Sequence, residues 1–593
     1  MLAARASNGG AIDPVARFHL GYGARLEKIH VNADASPRGQ AASWGVMVNY
    51  LYDLALIERN HEAYTTTGEI IAAPAVQKLL KSSQSGRIMY HGNTLATALR
   101  AASIGREDHV FATDQDTNAV TTYALLWDEA ERIASALVTM GVQPGDRVAV
   151  QIEKSTSAIA LYLGTVLCGA VHLPLNTAYM PAEVSYFLTN AAPVVFVCDP
   201  ARLDSLQKVT ADAHTKTVLT LDANGTGTLT DAALAAQPIA SAVTRGPEDL
   251  AAFLYTSGTT GRSKGAMLTH GNLISNAVAL RDLWQFTESD ILIHALPIFH
   301  THGLFVALNV TLLAGSQILL HRAFKPEKIL ANFVHATTMM GVPTFYTRLL
   351  DQPGLTPAAT AKMRLFVSGS APMLTDTHER WTALTGHHVL ERYGMTETNM
   401  ITSNPYTGLR KPGTVGLPLP GVQVRLVDGA GNTPAIGDVG GIEVRGPNLF
   451  KGYWNMPEKT AEDMRPGGWF ATGDIGQMDT DGYLSIVGRS KDLIIAGGYN
   501  IYPKEIEVLI DALDGVLESA AFGVPHADFG ESVTVAVVLE KNAVLDADQI
   551  LAAIGPDLAQ FKHPRHIHFV ESLPRNTMGK VQKNQLRDTF AKG

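Results

Sequence analysis

A run rich in hydroxyl groups and glycine, at residues 255–265, constrains the fold of this chain more than any other stretch. It follows residues 251–254, an apolar segment that indicates the end of a buried strand. Glycine permits tight turns and close backbone approach, so such a loop can direct backbone N–H groups and hydroxyls onto phosphate oxygens. A surface loop of the same composition is the alternative. The G-x-x-x-x-G-K-[ST] order of a Walker loop occurs nowhere in the chain.

Composition limits the classes of function. The chain has 593 residues, of which 46% are hydrophobic and 17% charged, as in ordinary globular proteins of several domains. The net charge of −9 leaves no basic excess, so we expect no nucleic-acid partner. The two cysteines, Cys168 and Cys198, lie in apolar segments and are expected to be buried free thiols in a reducing compartment.

Two apolar stretches, residues 158–175 and 303–320, approach the length of a membrane span but contain polar residues and a proline. We therefore expect buried α/β elements and no membrane span. The N-terminus lacks the apolar core of a signal peptide, so a cytoplasmic location is expected. The sequence leaves the oligomeric state open.

Residues 1–84 differ in character from the rest. Three- and four-residue spacing predicts a helix with one apolar face, formed by Met47, Tyr50, Leu51, Leu54 and Ile57. A shorter helix is predicted at residues 75–81 and a flexible linker at 82–86.

From residue 87 onward, helical and strand patterns alternate. Residues 130–138 predict a helix and residues 148–152 a buried strand, which together favour a layered α/β domain with its ligand site at the strand ends. The C-terminal part has its own alternation, including a period-two strand at 532–539, and predicts a small α+β domain. The expected boundaries are 1–84 for a mainly helical appendage, 85–488 for the large domain and 489–593 for the small one.

Several later motifs suggest binding chemistry, although each also has a structural interpretation. Residues 296–303 predict the end of a strand that carries His300 and His302; a zinc pair is disfavoured because no third ligand stands nearby. Arg348 lies in an apolar, aromatic stretch, where burial of a guanidinium requires an anion, either a ligand carboxylate or a local acid. Glu397 at a glycine turn suits Mg²⁺, and Asp474 at another turn suits the hydroxyls of a ribose.

Taken together, these motifs resemble the adenylate-forming (acyl-activating, AMP-binding) enzymes from about residue 90 to 590. The stretches at 345–348 and 368–372 resemble the malonyl-CoA synthetases within that family. The resemblance implies a large layered α/β domain with a small mobile lid, and ATP, Mg²⁺ and CoA as ligands. No side-chain nucleophile is implied.

The resemblance also implies roles for individual residues. The expected catalytic residues are Lys580, Glu397, Thr256 and Lys264, of which Glu397 and Thr256 also bind the metal. The expected ATP and AMP ligands are Thr256, Ser257, Gly258, Thr259, Thr260, Gly261, Lys264, Ser370, Ala371, Pro372, Arg392, Tyr393, Gly394, Met395, Thr396, Asp474, Arg489 and Lys580. The acid is expected at His300, Arg348 and Ser370, CoA at Gly498, and the interdomain hinge at Lys491.

Residues 13–64 resemble the C-terminal end of malonyl-CoA decarboxylase. In that family the histidine of the Phe-His-Leu motif, here His19, belongs to the catalytic site. The acyltransferase-like domain with its serine partner is missing, so we expect a non-catalytic appendage, because a site needs its whole constellation.

The expected reaction converts malonate, ATP and CoA to malonyl-CoA, AMP and pyrophosphate through a malonyl-adenylate. One alternative keeps the ligase and changes the acid to a fatty, methylmalonic or aryl acid. Another is a non-catalytic nucleotide-binding scaffold that recruits a partner of malonyl metabolism. A Ser/His decarboxylase is weakened by the missing domain.

Overall fold

The computed structural model of the chain describes residues 14–30, 47–67, 70–73, 76, 92–256, 263–496, 499–526, 530–576 and 579–591. The chain divides into two compact units, Met1–Met89 and Tyr90–Gly593. Most of the predicted helix at 75–81, the predicted linker, and the predicted ligands Ser257, Gly258, Thr259, Thr260, Gly261 and Gly498 lie outside the described residues.

The first unit contains helix α1 (Pro14–Gly21), strands β1 (Arg25–His30) and β2 (Met47–Leu51), and helix α2 (Ile57–Glu62), which continues into a π-helical turn at Ala63–Thr67. The two strands pair antiparallel. The helix predicted from Met47 is therefore wrong over its first part. Val48 and Tyr50 pack on the small core, while Asn49 between them is exposed. Burial therefore alternates with every second residue, as in a strand, and not with the three- and four-residue spacing of a helix.

The second unit begins with the large domain. Its strands are β3 (Val110–Asp114), β4 (Val120–Thr122), β5 (Arg147–Gln151), β6 (Val171–Pro174), β7 (Val195–Cys198), β8 (Thr217–Thr220), β9 (Leu250–Thr256), β10 (Lys264–Thr269), β11 (Ile291–His294), β12 (Gln317–Leu320), β13 (Thr338–Gly341), β14 (Leu365–Ser368), β15 (Leu390–Met395), β16 (Asn399–Ser403), β17 (Leu417–Pro418), β18 (Gln423–Val427), β19 (Val439–Arg445), β20 (Gly452–Tyr453), β21 (Met464–Arg465), β22 (Trp469–Met478) and β23 (Leu484–Arg489).

The helices of this domain cover the faces of its sheets. They are α3 (Thr94–Ala101), α4 (Tyr123–Thr139), α5 (Thr156–Leu167), α6 (Pro181–Ala191), α7 (Leu203–Asp212), α8 (Thr228–Ala235), α9 (His270–Leu283), a π-helix (His302–Leu308), α10 (Asn309–Ala314), α11 (Pro326–Asn332), α12 (Pro343–Leu350), α13 (Thr375–Thr385) and α14 (Pro457–Asp463). The predicted helix at 130–138 and strand at 148–152 are confirmed as α4 and β5.

Two large sheets form the centre of the domain. One has the strand order β20-β10-β9-β6-β5-β7-β8, and the other β17-β16-β15-β14-β13-β11-β12-β3-β4. Strands β5 to β8 pair in parallel, as do β11 to β15, and their residues are buried on both faces, as expected of parallel sheets covered by helices. The architecture is the predicted layered α/β fold.

Helix α5 shows why the apolar stretches are not membrane spans. Every residue from Ser157 to Leu167 is buried, which is the pattern of a helix inside a protein core. The second stretch folds as the π-helix, α10 and β12. Among the described residues, no helix combines the length and the apolar character that crossing a membrane requires.

A third sheet, β18-β19-β22-β21 with β23 on β22, leads to the small domain. That domain contains β24 (Ile494–Ala496), β25 (Tyr499–Ile501), α15 (Pro503–Asp511), β26 (Val516–His526), β27 (Gly530–Leu539), α16 (Ala547–Ile554), β28 (His566–Phe569) and α17 (Lys583–Phe590). Its core packs Ile494, Ile506 and Val535 with neighbouring aliphatic side chains. The predicted strand at 532–539 is confirmed as part of β27.

Candidate active site

The carboxyl ends of the central strands bring the predicted metal ligands together. Thr256 ends β9, and Glu397 follows β15 in the turn to β16. The Thr256 hydroxyl donates a hydrogen bond of 3.4 Å to Glu397 Oε1, and the Tyr453 hydroxyl donates to the same oxygen at 3.0 Å. Burial raises the pKa of Glu397, which is only 4% exposed. A nearby cation is therefore needed to favour its charged form.

Lys264 supplies positive charge at this place. It begins β10 and is 8% exposed, with its ammonium 4.3 Å from the centre of the Tyr453 ring and 3.9 Å from Asp463 Oδ2. Burial lowers the pKa of Lys264, while Asp463 and Glu397 act in the opposite direction. Phosphate oxygens would stabilise this ammonium better than the distant carboxylate does, because Coulomb energy increases steeply as charges approach in a low dielectric.

This group fits a magnesium ion. Mg²⁺ prefers oxygen ligands and commonly takes one or two from protein, leaving the remainder to water and phosphate. Glu397 and Thr256 offer a buried carboxylate and a hydroxyl in contact. In the described part of the chain, no cluster of three or more His, Cys, Asp or Glu residues could hold a metal without such outside ligands.

Asp474 lies at the centre of a second group. Asp474 and Arg489 are directly opposite each other on the antiparallel strands β22 and β23, and Arg489 Nε contacts Asp474 Oδ1 at 2.9 Å. The Tyr393 hydroxyl donates a hydrogen bond of 2.6 Å to Asp474 Oδ2. Strand pairing thus brings together three residues that were predicted to bind the nucleotide.

Lys580 reaches this group from the small domain. Burial lowers the pKa of Lys580 to about 8, and Arg489 lowers it further, against the effect of Asp474. A Cβ atom added to Gly579, which has φ of +74°, would lie 3.1 Å from Thr344 Oγ1. Gly579 therefore lies against the start of α12, and the small domain holds Lys580 at the site.

Two of the predicted acid ligands, His300 and Ser370, lie next to His302, whose backbone N–H donates to Nδ1 of His300 at 3.3 Å. The strand predicted to carry the histidines ends earlier, at His294, so they lie in the following turn and at the start of the π-helix. Burial lowers the pKa of His300 to about 4, and Arg392 and Lys580 contribute in that order. Both imidazoles are therefore neutral near pH 7, since the pKa of His302 is also lowered, first by burial.

Ser370 is strained, as residues at functional sites often are. Its φ of +73° is unfavourable for a residue other than glycine, at a cost of about 1–3 kcal/mol. The hydroxyl forms a hydrogen bond of 3.3 Å with Nδ1 of His302. This conformation directs the residues after β14 into the site.

Arg392 is the unexpected feature of the site. It is 3% exposed, and neither its Nε nor its Nη2 has a hydrogen-bond partner among the described residues. A Cβ atom at Gly369 would lie 2.5 Å from its Cζ, so the glycine makes room for the guanidinium. Burial lowers the pKa of Arg392 to about 9, and the charge acts on His300, His302 and Tyr346.

Sequence reasoning placed Arg392 with the nucleotide ligands; its charge also acts on the imidazoles of His300 and His302. Sequence also led us to expect that Arg348 is buried, and this expectation is wrong. Arg348 is exposed on α12, one turn after Thr344. The apolar residues around it, such as Tyr346 and Leu349, occupy the buried face of that helix.

The other predicted residues line the same region. A Cβ atom at Gly394 would lie 1.9 Å from the carbonyl oxygen of Asn399, so only glycine fits this hairpin. Met395 and Thr396 lead from there to Glu397 and are half-buried. Ala371 and Pro372 follow Ser370. Lys491, the predicted hinge residue, lies in the turn after β23. Burial lowers the pKa of its ammonium, and the charge of Arg489 lowers this pKa further.

The chain matches known families in three segments. Residues 98–454 match the AMP-binding enzymes, and residues 505–580 match the C-terminal domain of the AMP-binding enzymes. The chain belongs to the AMP-binding enzyme family. Residues 1–89 match the C-terminal domain of malonyl-CoA decarboxylase, so both resemblances noted in the sequence are confirmed.

Relatives in this family carry names that specify different acids. A malonate–CoA ligase of Arabidopsis thaliana is 31% identical over 537 residues, covering 85% of this chain and 85% of the relative. A feruloyl-CoA synthase of an Amycolatopsis species is 34% identical over 473 residues, covering 79% and 94%. The solved structure of ATP-bound MatB from Rhodopseudomonas palustris is 55% identical, with a TM-score of 0.82, and the match covers 84% of this chain and 99% of that chain.

The family establishes an AMP-forming acid–CoA ligase that uses ATP and CoA. One residue of the site was missed by sequence reasoning. Tyr453, a hydrogen-bond donor to Glu397, had no signal beyond its place after a glycine. Arg392 was predicted as a nucleotide ligand, but its burial was not foreseen.

Proposed function

We propose that this ligase acts on malonate and produces malonyl-CoA, AMP and pyrophosphate. The observation that carries the proposal is the buried guanidinium of Arg392, which has two unpaired nitrogens beside the predicted acid site. A buried charge is costly unless it is paired. The distal carboxylate of a dicarboxylic acid supplies the missing partner, and a planar guanidinium can bind it through two hydrogen bonds.

The surroundings of Arg392 support a ligand partner rather than a protein one. Within the described parts of the chain, Tyr346 is the group that acts to raise its pKa, and the Tyr346 hydroxyl already donates to the carbonyl oxygen of Val367 at 2.7 Å. The His300 and His302 imidazoles are neutral and offer no negative charge. A monocarboxylic acid would place its carboxylate at the reacting end and leave Arg392 unpaired.

In the first half-reaction, the reacting carboxylate of malonate attacks the α-phosphate of ATP, forming malonyl-adenylate and releasing pyrophosphate. Asp474 holds the ribose hydroxyls, and the ammonium groups of Lys264 and Lys580 stabilise the negative charge that develops on the phosphate oxygens. Magnesium bound at Glu397 and Thr256 would neutralise phosphate charge.

In the second half-reaction, the small domain turns about Lys491 and withdraws Lys580, and the CoA thiolate enters near Gly498. It attacks the acyl carbonyl of the adenylate, the C–O bond to phosphate breaks, and AMP leaves with the electron pair. The proton of the thiol passes to solvent. We propose the cytoplasm as the place of reaction, with domain boundaries as predicted at 84/85 and 488/489.

The N-terminal segment is proposed to take no part in this chemistry. His19 stacks on the Tyr50 ring at 4.5 Å and its Nδ1 forms a hydrogen bond of 2.9 Å with the Tyr52 hydroxyl. These contacts account for the histidine structurally, and a decarboxylase site needs further residues that this segment does not supply.

The substrate is tested by CoA-dependent release of AMP from ATP and Mg²⁺ with malonate, methylmalonate, succinate, acetate, butyrate and benzoate. A kcat/KM for malonate well above those of the monocarboxylic acids is the expected result. Preference for a monocarboxylic acid would retain the ligase and refute malonate. Absence of turnover with every acid would favour a nucleotide-binding scaffold.

A further inference from the structure

Lys154 is a buried charge that the proposed reaction does not use. It follows β5 in the seven-stranded sheet and is 4% exposed. Its ammonium donates hydrogen bonds to the carbonyl oxygens of His294, at 3.0 Å, and Leu296, at 2.9 Å. His294 is the last residue of β11 in the nine-stranded sheet. One side chain thus ties the carboxyl ends of two sheets.

The segment that Lys154 holds leads directly to His300. Residues 297–301 form a turn between Leu296 and the π-helix. At its far end, Nε2 of His294 donates to the carbonyl oxygen of Gly303 at 2.9 Å. A Cβ atom at Gly303 would lie 2.0 Å from the carbonyl oxygen of Pro297, so the turn closes tightly. Its position is set by hydrogen bonds at both ends.

One side of this turn borders a cavity of about 230 Å³ whose lining includes Lys154, Pro297, Ile298, Phe299, Arg322 and Phe345. Residues that border a cavity make fewer protein contacts on that side than residues of a close-packed core. The place of the turn therefore depends on its end contacts, of which the ammonium of Lys154 makes two.

We propose that Lys154 is a positioning residue of the acid site, whose ammonium fixes the turn before His300 from the opposite sheet. The inference rests on the proposed function only in taking His300 to contact the acid. It does not depend on which acid is bound. Lys154 itself touches no reacting atom.

The charge of the Lys154 side chain depends on pH. Burial lowers the pKa of Lys154 to about 7, against the effects of Asp116, Glu153 and Asp114 in that order. Lys154 is therefore an ammonium below pH 7 and an amine above it. An amine still donates two hydrogen bonds, but charge-assisted hydrogen bonds are roughly twice as strong as neutral ones.

The two histidines that face Lys154 do not change charge between pH 6 and pH 8. Burial lowers the pKa of His294 to about 3 and that of His321 to about 4, so both stay neutral. Arg322 contacts Asp114 Oδ2 at 3.1 Å. A pH effect on the turn in this interval is therefore attributable to Lys154.

The first test is Lys154→Met, with KM measured for ATP and for whichever acid the wild type prefers. Loss of two charge-assisted hydrogen bonds should raise KM for the acid about tenfold to a hundredfold at pH 6, with KM for ATP changed less than about twofold. The ratio of the acid KM of Lys154→Met to that of the wild type should decrease from pH 6 to pH 8, because the hydrogen bonds of Lys154 in the wild type weaken as its ammonium loses a proton. Lys580 loses its proton over the same pH range in the wild type and in Lys154→Met, so its effect on KM cancels in the ratio of the two KM values.

An equal rise in both KM values, or no rise, would overturn the proposal, as would a ratio independent of pH. The second test covers the case in which Lys154→Met does not fold. Asp116 is partly exposed and paired with Lys328 at 2.7 Å, so Asp116→Asn should leave the fold intact. It removes the strongest charge that raises the pKa of Lys154 and should shift the pH dependence of the acid KM to lower pH. An unshifted dependence would refute the role of Lys154.

These outcomes are separable from the substrate question. If the wild type prefers another acid, malonate is refuted while the comparison of KM values proceeds with that acid. If malonate is preferred and the Lys154 variant behaves as wild type, the positioning role alone fails.

Discussion

Replacing Arg392 with methionine separates recognition of malonate from the chemistry of adenylation. The guanidinium is buried, and its Nε and Nη2 have no hydrogen-bond partner among the described residues, so in the complex they would have the distal carboxylate as their partner. Removing one member of a buried, hydrogen-bonded charge pair costs about 2–5 kcal/mol. Arg392→Met should therefore lower kcat/KM for malonate by about 30-fold to 5,000-fold, because 1.36 kcal/mol corresponds to a factor of ten.

The same change should not weaken the protein. An unpaired buried charge destabilises the folded state, and replacing buried charge by an apolar side chain is often neutral or stabilising by about 1–4 kcal/mol. The melting temperature of Arg392→Met should therefore equal or exceed that of the wild type. A loss of malonate activity together with unchanged or increased stability distinguishes a binding residue from a structural one.

The assay is CoA-dependent AMP release with malonate and butyrate for the wild type, Arg392→Met and Arg348→Met. Arg348 is the matched control, because it is an arginine near the same site but exposed. The ratio of kcat/KM for malonate to that for butyrate should collapse in Arg392→Met and change little in Arg348→Met. If Arg348→Met loses the preference and Arg392→Met keeps it, the structural argument is refuted and the sequence-based role of Arg348 stands.

Three further outcomes are expected. Lys580→Ala should abolish adenylation, measured as malonate-dependent pyrophosphate release, while sparing thioester formation from supplied malonyl-adenylate; equal loss in both would contradict its role. Because the pKa of Lys580 is about 8 in the protein without ATP and the charged form stabilises phosphate oxygens, kcat/KM for ATP in adenylation should fall as pH rises through 8, whereas a flat profile would argue against this role. Deleting residues 1–84 should leave kcat/KM for malonate within about twofold, since each domain has its own core; loss of activity in a folded, truncated protein would assign this segment a role.

Much of the fold followed from local patterns. The period-two valines of β27, the amphipathic face of α4 and the buried strand β5 are properties of short segments, and they were predicted correctly. The N-terminal strand β2 was predicted incorrectly, because the aromatic and aliphatic residues at Met47, Tyr50 and Leu51 fit both the helical spacing and the alternation of a strand. Its pairing with β1 decides between them, and that partner is distant in sequence.

The site could be predicted from the sequence where the position of a residue at a strand end, or on one of two paired strands, determines which residues lie beside it. Thr256 ends β9 and Glu397 directly follows β15, both in the central sheets, and the pairing of β22 with β23 sets Asp474 beside Arg489. The arginines were harder, since burial depends on the face of an element and on what covers it. Arg348 falls on the exposed face of α12, whereas Arg392 is buried because Gly369 leaves room for it.

The charges around Lys580 connect the two half-reactions. Burial is the main cause that lowers the pKa of Lys580 to about 8; Arg489 and Lys491 lower it further, and Asp474 and Asp492 act in the opposite direction. Cations held close together in a buried site repel one another unless anions are present. The phosphates of ATP supply those anions before adenylation. Once pyrophosphate has left, less negative charge opposes the repulsion, so the seated position of Lys580 loses stability at the point where the small domain has to turn for attack by the thiol.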